Sequence, residues 1–296
     1  MANPVMTASG TSGYGAEYAP YLDISSLGAF VTKAVTPKER KGNPQPRTCE
    51  TTGGMINAIG LANVGLERFC DEKVAYLEKL GIPVIVNVAG RNPDEFASVC
   101  ERLDGIGCIS GLELNVSCPN VSGGLDYGTD PGRLEALVAR VRGCVVRAKI
   151  IVKLSPNVTD ITKTARAAVD GGADVLSLIN TLGAMVINVN TRRPMLANVM
   201  GGLSGPAIKP VAVGMVYRVY RDVAREAGVP IIGMGGIRNW RDVVEFHLAG
   251  ATAVAVGTAN FVNPRAALDV VEGIRTYLQE NDIRDVNSLR EYGRKW

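Results

Sequence analysis

Short apolar runs alternate with longer amphipathic patterns along nearly all of this 296-residue sequence. Eight runs have the length and composition of strands: Val5–Ala8, Ala29–Lys33, Val84–Val88, Gly111–Val116, Ile150–Leu154, Val175–Ile179, Pro230–Gly233 and Ala253–Val256. Short strands that are apolar throughout are typical of a parallel sheet covered on both faces. Eight β-then-α units without a linker predict an α/β fold, a (β/α)8 TIM barrel forming a single domain over residues 1–296. A doubly wound open sheet is the alternative.

The segments between these runs carry helix boundaries and two unusually long connections. Asp130-Pro131 marks the start of one helix, and Gly171-Gly172-Ala173 and Gly250-Ala251 each end a helix just before a strand. Thr36–Gly65 follows the second strand and Leu182–Pro210 follows the sixth. Long loops in a compact domain are usually functional, and in a barrel the loops after strands lie on the catalytic face.

Charge and cysteine content argue against several classes of function. The net charge is only +3 at pH 7 and no long Lys/Arg tract occurs, so a nucleic-acid or anionic-membrane surface is not expected. No apolar run approaches the ~18 residues of a transmembrane helix. The six cysteines lie far apart with no C-x-x-C spacing, which argues against a zinc or iron–sulfur site and against a disulfide scaffold. We expect a reduced, cytoplasmic protein without a bound metal.

Polar or backbone-exposing residues stand at the C-terminal end of every predicted strand. In chain order they are Ser9, Lys33, Asn87, Asn115, Lys153, Asn180, Gly235-Gly236 and Gly257-Thr258. Any one of them alone fits a turn. Buried amides and ammonium groups need partners, however, and the carboxyl ends of barrel strands meet on one face. The set therefore predicts one polar ligand site.

The glycine pairs after the last two strands predict a phosphate site. Glycine lets backbone N–H groups approach an anion closely, and barrels often hold a phosphate at this position. Gly233-Met234-Gly235-Gly236 lacks the third glycine of G-x-G-x-x-G, and no G-K-[ST] motif occurs. A mononucleotide therefore fits this pattern better than a dinucleotide or a nucleoside triphosphate.

Two side chains at strand ends are candidates for catalysis. Lys153 suits either a Schiff base or a fixed positive charge beside a cofactor, and spacing alone leaves both open. Cys118 follows the fourth strand and suits a nucleophile or a general base. The only histidine, His247, lies in the helix before the last strand. We therefore expect neither a catalytic histidine nor a Cys–His hydrolase.

Five motifs occur in order along the chain: Asn57-Ala58-Ile59-Gly60-Leu61, Asn115-Val116-Ser117-Cys118-Pro119-Asn120, Lys153-Leu154-Ser155-Pro156-Asn157, Gly201-Gly202-Leu203-Ser204-Gly205 and Gly233-Met234-Gly235-Gly236. Together they resemble the dihydroorotate dehydrogenase family over essentially the whole chain. The resemblance implies an FMN-binding barrel that oxidises dihydroorotate to orotate in pyrimidine (UMP) biosynthesis.

The resemblance also points to a class within the family. The soluble class has a cysteine at the position of Cys118, whereas the quinone-linked membrane class has a serine there and a helical N-terminal extension. Gly42–Arg47 and Gly201–Pro210 are most similar to the NAD-linked type, in which a separate chain carries FAD and a 2Fe-2S cluster. This similarity implies a homodimer within a heterotetramer, with NAD+ as the final acceptor.

The family's site residues carry over by motif. The implied FMN contacts are Ser9, Lys33, Ala34, Asn87, Asn115, Lys153, Ile179, Gly205, Gly235, Gly236, Gly257 and Thr258. The implied substrate contacts are Lys33, Asn57, Ala58, Ile59, Gly60, Leu61, Asn115, Asn120, Asn180 and Thr181. Cys118 would remove a proton from C5 while a hydride passes from C6 to flavin N5. Lys153 would stabilise negative charge on the reduced flavin, and the loop holding Cys118 and Asn120 would close over the substrate.

Several alternatives stay open. A fumarate-linked dihydroorotate dehydrogenase and an FMN-dependent dihydropyrimidine dehydrogenase would share the fold. An aldolase would use Lys153 as its Schiff base, and a flavin-binding scaffold would have lost activity.

The N-terminal segment departs from the family pattern. Met1-Ala2-Asn3-Pro4 leads almost directly into the first strand, where the family usually has a short β-hairpin. We expect either a start further upstream or a differently closed barrel bottom.

Overall fold

The computed structural model describes residues 1–117 and 127–295. Its strands are β1 Val5–Thr7, β2 Phe30–Val31, β3 Thr48–Thr51, β4 Gly54–Asn57, β5 Val84–Val88, β6 Ile109–Asn115, β7 Lys149–Lys153, β8 Val175–Leu178, β9 Leu182–Ala184, β10 Ile187–Asn188, β11 Arg193–Pro194, β12 Gly201–Ser204, β13 Ile231–Met234 and β14 Ala253–Val256. Its α-helices are α1 Leu66–Glu72, α2 Val74–Glu78, α3 Pro93–Asp104, α4 Pro131–Arg142, α5 Ile161–Asp170, α6 Lys209–Val219, α7 Arg225–Ala227, α8 Trp240–Leu248, α9 Ala259–Val262, α10 Ala266–Glu280 and α11 Arg290–Gly293. A π-helical turn, Tyr220–Ala224, joins α6 to α7.

Eight parallel strands form a closed barrel in the order β1-β14-β13-β8-β7-β6-β5-β2. The ring closes where Met6 of β1 bridges Ala29 in parallel. Beside this bridge the Thr7 hydroxyl donates to the carbonyl of Val31 over 3.3 Å and accepts its N–H over 3.1 Å. The predicted barrel is confirmed, and the open-sheet alternative is wrong. Each predicted strand lies within two residues of the observed bounds.

Local signals in the sequence determine where the helices begin and end. Asp130 accepts a hydrogen bond from the N–H of Arg133 over 3.1 Å, and Pro131 opens α4 as predicted. Gly172 and Gly250, which precede β8 and β14, have φ values of +98° and +113°. Residues other than glycine rarely adopt this left-handed conformation. These turns return the chain from the outer helices to the barrel wall.

Alternate residues of the barrel strands pack into two separate cores. The barrel interior is filled by a small apolar cluster: Met6, Ala8, Ala29, Val31, Ile85, Ile151, Ile232, Met234, Ala253 and Ala255. The larger cluster lies between the strands and the surrounding helices and includes the fully buried Phe30, Phe96 and Phe246. In β14, for example, Ala253 and Ala255 belong to the inner cluster and Val254 and Val256 to the outer one.

The two long connections meet in one antiparallel sheet of order β3-β4-β12-β9. Thr36–Gly65 contributes the hairpin of β3 and β4, and Leu182–Pro210 contributes β9 and β12. Gly202 of β12 pairs with Asn57 of β4, so residues far apart in sequence become neighbours. This outer sheet stands over the carboxyl ends of the barrel strands.

At the opposite end of the barrel, the 3-10 turn Ile24–Ser26 is hydrogen-bonded to the residues that lead into β1. Asn3 donates from its side-chain amide to the Ser26 carbonyl over 2.9 Å, and the Gly28 N–H donates to the Val5 carbonyl over 2.8 Å. In the described part of the chain, none of the helices is both long and apolar enough to cross a bilayer.

Candidate active site

A cavity of about 1490 Å3 opens at the carboxyl ends of the barrel strands, beside the outer sheet. Every predicted site residue that the structure describes lines it. The lining includes Ser9, Lys33, Ala34, Asn57, Ala58, Ile59, Gly60, Leu61, Asn87, Asn115, Lys153, Ile179, Asn180, Thr181, Gly205, Gly235, Gly236, Gly257 and Thr258. Cys118 and Asn120 lie outside the described residues. Residues from the barrel strands and from both long connections therefore share one cavity.

A buried ion pair lies at the floor of this cavity. The Nζ atom of Lys153 is 3.8 Å from Oε2 of Glu113 and donates to the Ser9 hydroxyl over 3.1 Å. The Glu113 carboxylate also accepts a hydrogen bond from Asn87 over 2.6 Å and one from the Ser177 hydroxyl over 2.8 Å. The side chains of Lys153 and Glu113 are 7% and 2% exposed. The ammonium group is therefore fixed from two sides.

Three asparagine side chains form a hydrogen-bonded row across the mouth of the barrel. Asn180 donates to the amide oxygen of Asn115 over 3.3 Å, and Asn115 donates to that of Asn87 over 3.5 Å. The oxygen of Asn180 accepts the N–H of Thr181 over 2.8 Å. Each amide still has a donor or an acceptor site free for a ligand.

The Asn57–Leu61 segment forms a rim on the side of the outer sheet. Asn57 donates to the Gly202 carbonyl over 3.5 Å. Asn43 holds the turn from behind, donating from its side chain to the Ala58 carbonyl over 2.9 Å. Gly60 has a φ of +74°, and a Cβ atom there would come within 2.6 Å of the Asn43 side chain. This close approach explains the glycine in the motif.

Lys33 and Arg47 place positive charge at the opening. Burial lowers the pKa of the Lys33 ammonium, the nearby Arg47 guanidinium lowers it further, and Glu17 partly opposes both effects. Both cations line the cavity. Two neighbouring cations in a concave site attract an anionic ligand.

A glycine cradle forms the far end of the cavity. Gly205, Gly235 and Gly236 have φ values of +100°, +123° and +80°. A Cβ atom on Gly236 would lie 2.8 Å from the Gly205 carbonyl oxygen and from the Lys209 side chain. Among the described residues, no acceptor takes the backbone N–H of Gly236, Gly257 or Thr258. Free N–H groups around a concave backbone are typical of a phosphate site.

The sequence reasoning missed two residues beneath this site, Glu113 and Ser177. A signal for Glu113 was available, because an acidic residue two positions before Asn115 in an apolar strand must point to the same face. Ser177 gave no such signal. Ser204, which lies in the Gly201–Gly205 motif and carries no predicted role, accepts a hydrogen bond from the Thr258 hydroxyl over 2.8 Å.

The remaining candidate groups lie away from the cavity. His247 is fully buried in α8, and burial lowers its pKa to about 4. Burial also raises the pKa of the thiols of Cys70, Cys100, Cys108 and Cys144, which does not suit nucleophiles. In the part of the chain that the structure describes, no cluster of three or more His, Cys, Asp or Glu side chains could hold a metal ion.

Known proteins resemble this chain over nearly its full length. The family model described as dihydroorotate dehydrogenase matches residues 1–278. Three similar proteins bear the name dihydroorotate dehydrogenase B (NAD(+)), catalytic subunit. The one from Trichlorobacter lovleyi is 55% identical over 97% of this chain and 93% of its own length. The one from Desulforudis audaxviator is 56% identical over 97% and 92%, and the one from Alkaliphilus metalliredigens is 53% identical over 97% and 94%.

Proposed function

This chain belongs to the dihydroorotate dehydrogenase family, and we propose that it is the FMN-binding catalytic subunit of an enzyme that oxidises dihydroorotate to orotate in pyrimidine biosynthesis. One observation carries the proposal: a single cavity joins a glycine cradle, a buried lysine and a row of asparagines. The first suits a phosphate, the second an electron-rich ring and the third a pyrimidine.

The described residues fit FMN. Gly205, Gly235, Gly236, Gly257 and Thr258 would hold its phosphate. The backbone N–H groups of Gly236, Gly257 and Thr258 are free within residues 1–117 and 127–295, and a side chain at Gly205, Gly235 or Gly236 would crowd its neighbours. Lys153 and Ser9 would contact the ring system from the barrel interior. When bound, FMN supplies an acceptor for the hydride that leaves the substrate. Lys153 contributes a fixed positive charge, held in place before the reaction by Glu113 and Ser9.

The polar rim fits an anionic pyrimidine. Asn57, Asn115 and Asn180 offer amide donors and acceptors that match the alternating N–H and C=O groups of such a ring. Lys33, with Arg47 behind it, would bind the carboxylate. The asparagines and the two cations line different sides of the cavity, so together they would fix the orientation of the pyrimidine ring.

Cys118 is the proposed general base, which takes the proton from C5 of dihydroorotate on its sulfur. Asn120 is proposed to bind the same substrate. Both assignments rest on the motif from Asn115 to Asn120. A thiol has an ordinary pKa of about 8.5, so its neighbours must favour the thiolate for it to act at neutral pH.

The electron acceptor is proposed to be NAD+, reached through a partner subunit that carries FAD and a 2Fe-2S cluster. The names of the relatives, which specify NAD(+) and a catalytic subunit, support this choice. Phe261 and Val262 line the cavity and are 56% and 88% exposed. Such an apolar rim suits contact with another protein.

We also propose a homodimer within a heterotetramer. A cytoplasmic location accords with free thiols at the five described cysteines.

The absorption spectrum of the purified chain tests the proposal. We expect a flavin spectrum that bleaches when dihydroorotate is added without oxygen. A flavin spectrum that bleaches with dihydrouracil and not with dihydroorotate would show that the substrate is a different dihydropyrimidine. No flavin after reconstitution with FMN would refute the proposal, and trapping of a carbonyl substrate on Lys153 by borohydride would then support an aldolase.

The acceptor needs its own assay. The bleached protein is mixed with fumarate, or with NAD+ and the partner subunit, and the return of flavin absorbance is followed. Reoxidation by fumarate alone would contradict the NAD+ assignment. A chain that binds FMN but reacts with no dihydropyrimidine would fit the inactive scaffold.

A further inference from the structure

Glu113 is one of two buried acidic side chains among the described residues, the other being Asp242. It lies in β6, two residues before Asn115, so both side chains point to the barrel interior. Asn115 lines the cavity, whereas Glu113 lies one layer deeper. The proposed reaction gives Glu113 no contact with substrate or cofactor.

The contacts of Glu113 leave neither carboxylate oxygen free. Ser177 donates to Oε1 over 2.8 Å, and Asn87 donates to Oε2 over 2.6 Å. The Lys153 ammonium, 3.8 Å from Oε2, is its counter-charge. Glu113 therefore touches two residues that line the cavity, Asn87 and Lys153.

Stability alone does not explain this ion pair. Removing two charges from water is costly, and apolar residues in place of a buried pair are often as stable or more so. Inside the barrel the field of each charge is poorly screened. A lone Lys153 would make the cavity floor strongly positive, and Glu113, 3.8 Å away, offsets part of that field.

We propose that Glu113 is a positioning residue that sets the potential at which FMN in this cavity takes up electrons. It does so by holding the Lys153 ammonium in place and by offsetting its positive field. This inference rests on the proposed function, because it requires FMN in the cavity. A less positive floor keeps the potential low enough for electrons to be passed on to an acceptor such as NAD+.

The test compares the midpoint potential of FMN in three proteins. Glu113→Gln removes the charge, while the introduced amide can still accept from Asn87 and donate to Ser177. Ser177→Ala is the matched control, since it removes a hydrogen bond to the same carboxylate without altering charge. Each protein is loaded with FMN, freed of excess cofactor and reduced in equilibrium with a reference dye.

For Glu113→Gln we expect a more positive potential, by about 30 mV or more, which is tenfold in the equilibrium constant of a two-electron couple. The equilibrium of bound FMN with dihydroorotate and orotate should move tenfold toward orotate. For Ser177→Ala the same equilibrium constant should stay within twofold of the wild-type value. An unchanged potential in Glu113→Gln would overturn the inference, as would an equal shift in Ser177→Ala.

A second measurement covers loss of FMN from Glu113→Gln. The dissociation constants of oxidised and of reduced FMN are then measured for Glu113→Gln, Ser177→Ala and the wild type, because their ratio gives the potential of bound FMN relative to free FMN. The ratio in Glu113→Gln should shift about tenfold in favour of reduced FMN, which is the same 30 mV, and an unchanged ratio would refute the role of Glu113. A wild type that takes up no FMN refutes the proposed function as well. A wild type that dihydroorotate bleaches, with a potential insensitive to Glu113, refutes this inference alone.

Discussion

Asn87 donates its side-chain N–H to the buried Glu113 carboxylate over 2.6 Å. An ionised carboxylate only accepts hydrogen bonds, so the Asn87 amide must turn its nitrogen inward and its oxygen toward Asn115. Asn115 then donates to the oxygen of Asn87, and Asn180 donates to the oxygen of Asn115. One buried charge therefore fixes the orientation of all three amides.

Asn115→Asp should disrupt this row. An aspartate carboxylate cannot donate to the Asn87 oxygen, and it places negative charge beside an anionic ligand. We expect the dissociation constant of orotate, measured by perturbation of the flavin spectrum, to rise at least about tenfold, or 1.4 kcal/mol. Asn190→Asp adds the same charge at an exposed site outside the cavity and should have no effect. Equal affinities in the two variants would contradict the assignment.

Lys153→Met should reduce both stability and FMN affinity. It leaves Glu113 buried without its counter-charge, and removing one partner of a buried pair typically costs about 3 kcal/mol or more. Urea unfolding measures the loss, and fluorescence of released FMN measures the affinity. Adding Glu113→Gln should recover part of the stability but none of the affinity. A stable single variant that keeps its FMN would count against both roles of Lys153.

Cys118→Ala should separate binding from catalysis. The variant should bind FMN and orotate as the wild type does, because neither interaction is assigned to this thiol. Flavin bleaching by dihydroorotate should slow by about 10²- to 10⁴-fold, the usual contribution of a positioned base. Stopped-flow absorbance gives the rate. Cys118→Ser should retain more activity at high pH than Cys118→Ala, and near-normal rates in both would exclude Cys118 as the base.

His247 should make the fold sensitive to acid. Its side chain is 0% exposed, and burial, followed by the charge of Arg290, lowers its pKa to about 4. The unfolded chain has the ordinary pKa of about 6.5, so as the pH falls its histidine takes up a proton before that of the folded protein does. This contribution to stability is complete above pH 6.5 and is lost as the pH falls toward 4. It amounts to about 3 kcal/mol at roughly 1.4 kcal/mol per pH unit.

Urea unfolding at pH 7, 6 and 5 measures this dependence. His247→Phe cannot take up the proton, so its stability should fall less steeply than that of the wild type. Parallel curves for the two proteins would show that other groups cause the acid sensitivity.

Gly236→Ala should damage the phosphate cradle. The residue has a φ of +80°, and the added methyl would press on the Gly205 carbonyl. We expect weaker FMN binding and a stability loss of about 1–3 kcal/mol. Gly214→Ala is the control, because Gly214 lies exposed in α6 with no heavy atom within 4 Å of the new methyl. That change should stabilise the protein by up to about 1 kcal/mol. Equal FMN affinities would place the phosphate elsewhere.

Much of the barrel could be predicted because its signals are local. Apolar runs and glycine-terminated helices locate all eight wall strands, and Val84–Val88 and Ala253–Val256 match residue for residue. Family membership, predicted from five motifs, is confirmed by the match to residues 1–278. Strand-end residues converge because parallel barrel strands all end on one face.

The outer sheet could not be predicted from such signals. Its central pairing joins Asn57 to Gly202, and no local pattern reveals a contact across that separation. Glu113 was missed for a different reason. Its spacing from Asn115 indicates the face to which it points, but not its partners, because Lys153, Asn87 and Ser177 meet it only once the barrel has formed.

Pairing of β1 with β14 sets an order of events on the ribosome. Thr7 emerges early and must wait for Val256, its neighbour in the wall, so the edge of β1 stays open for most of synthesis. Ser9 and Thr258, which follow these two paired strands and line the same cavity, become neighbours equally late. A nascent chain therefore has no finished cradle for a phosphate. The proposed FMN would therefore enter only after translation has passed the last barrel strand.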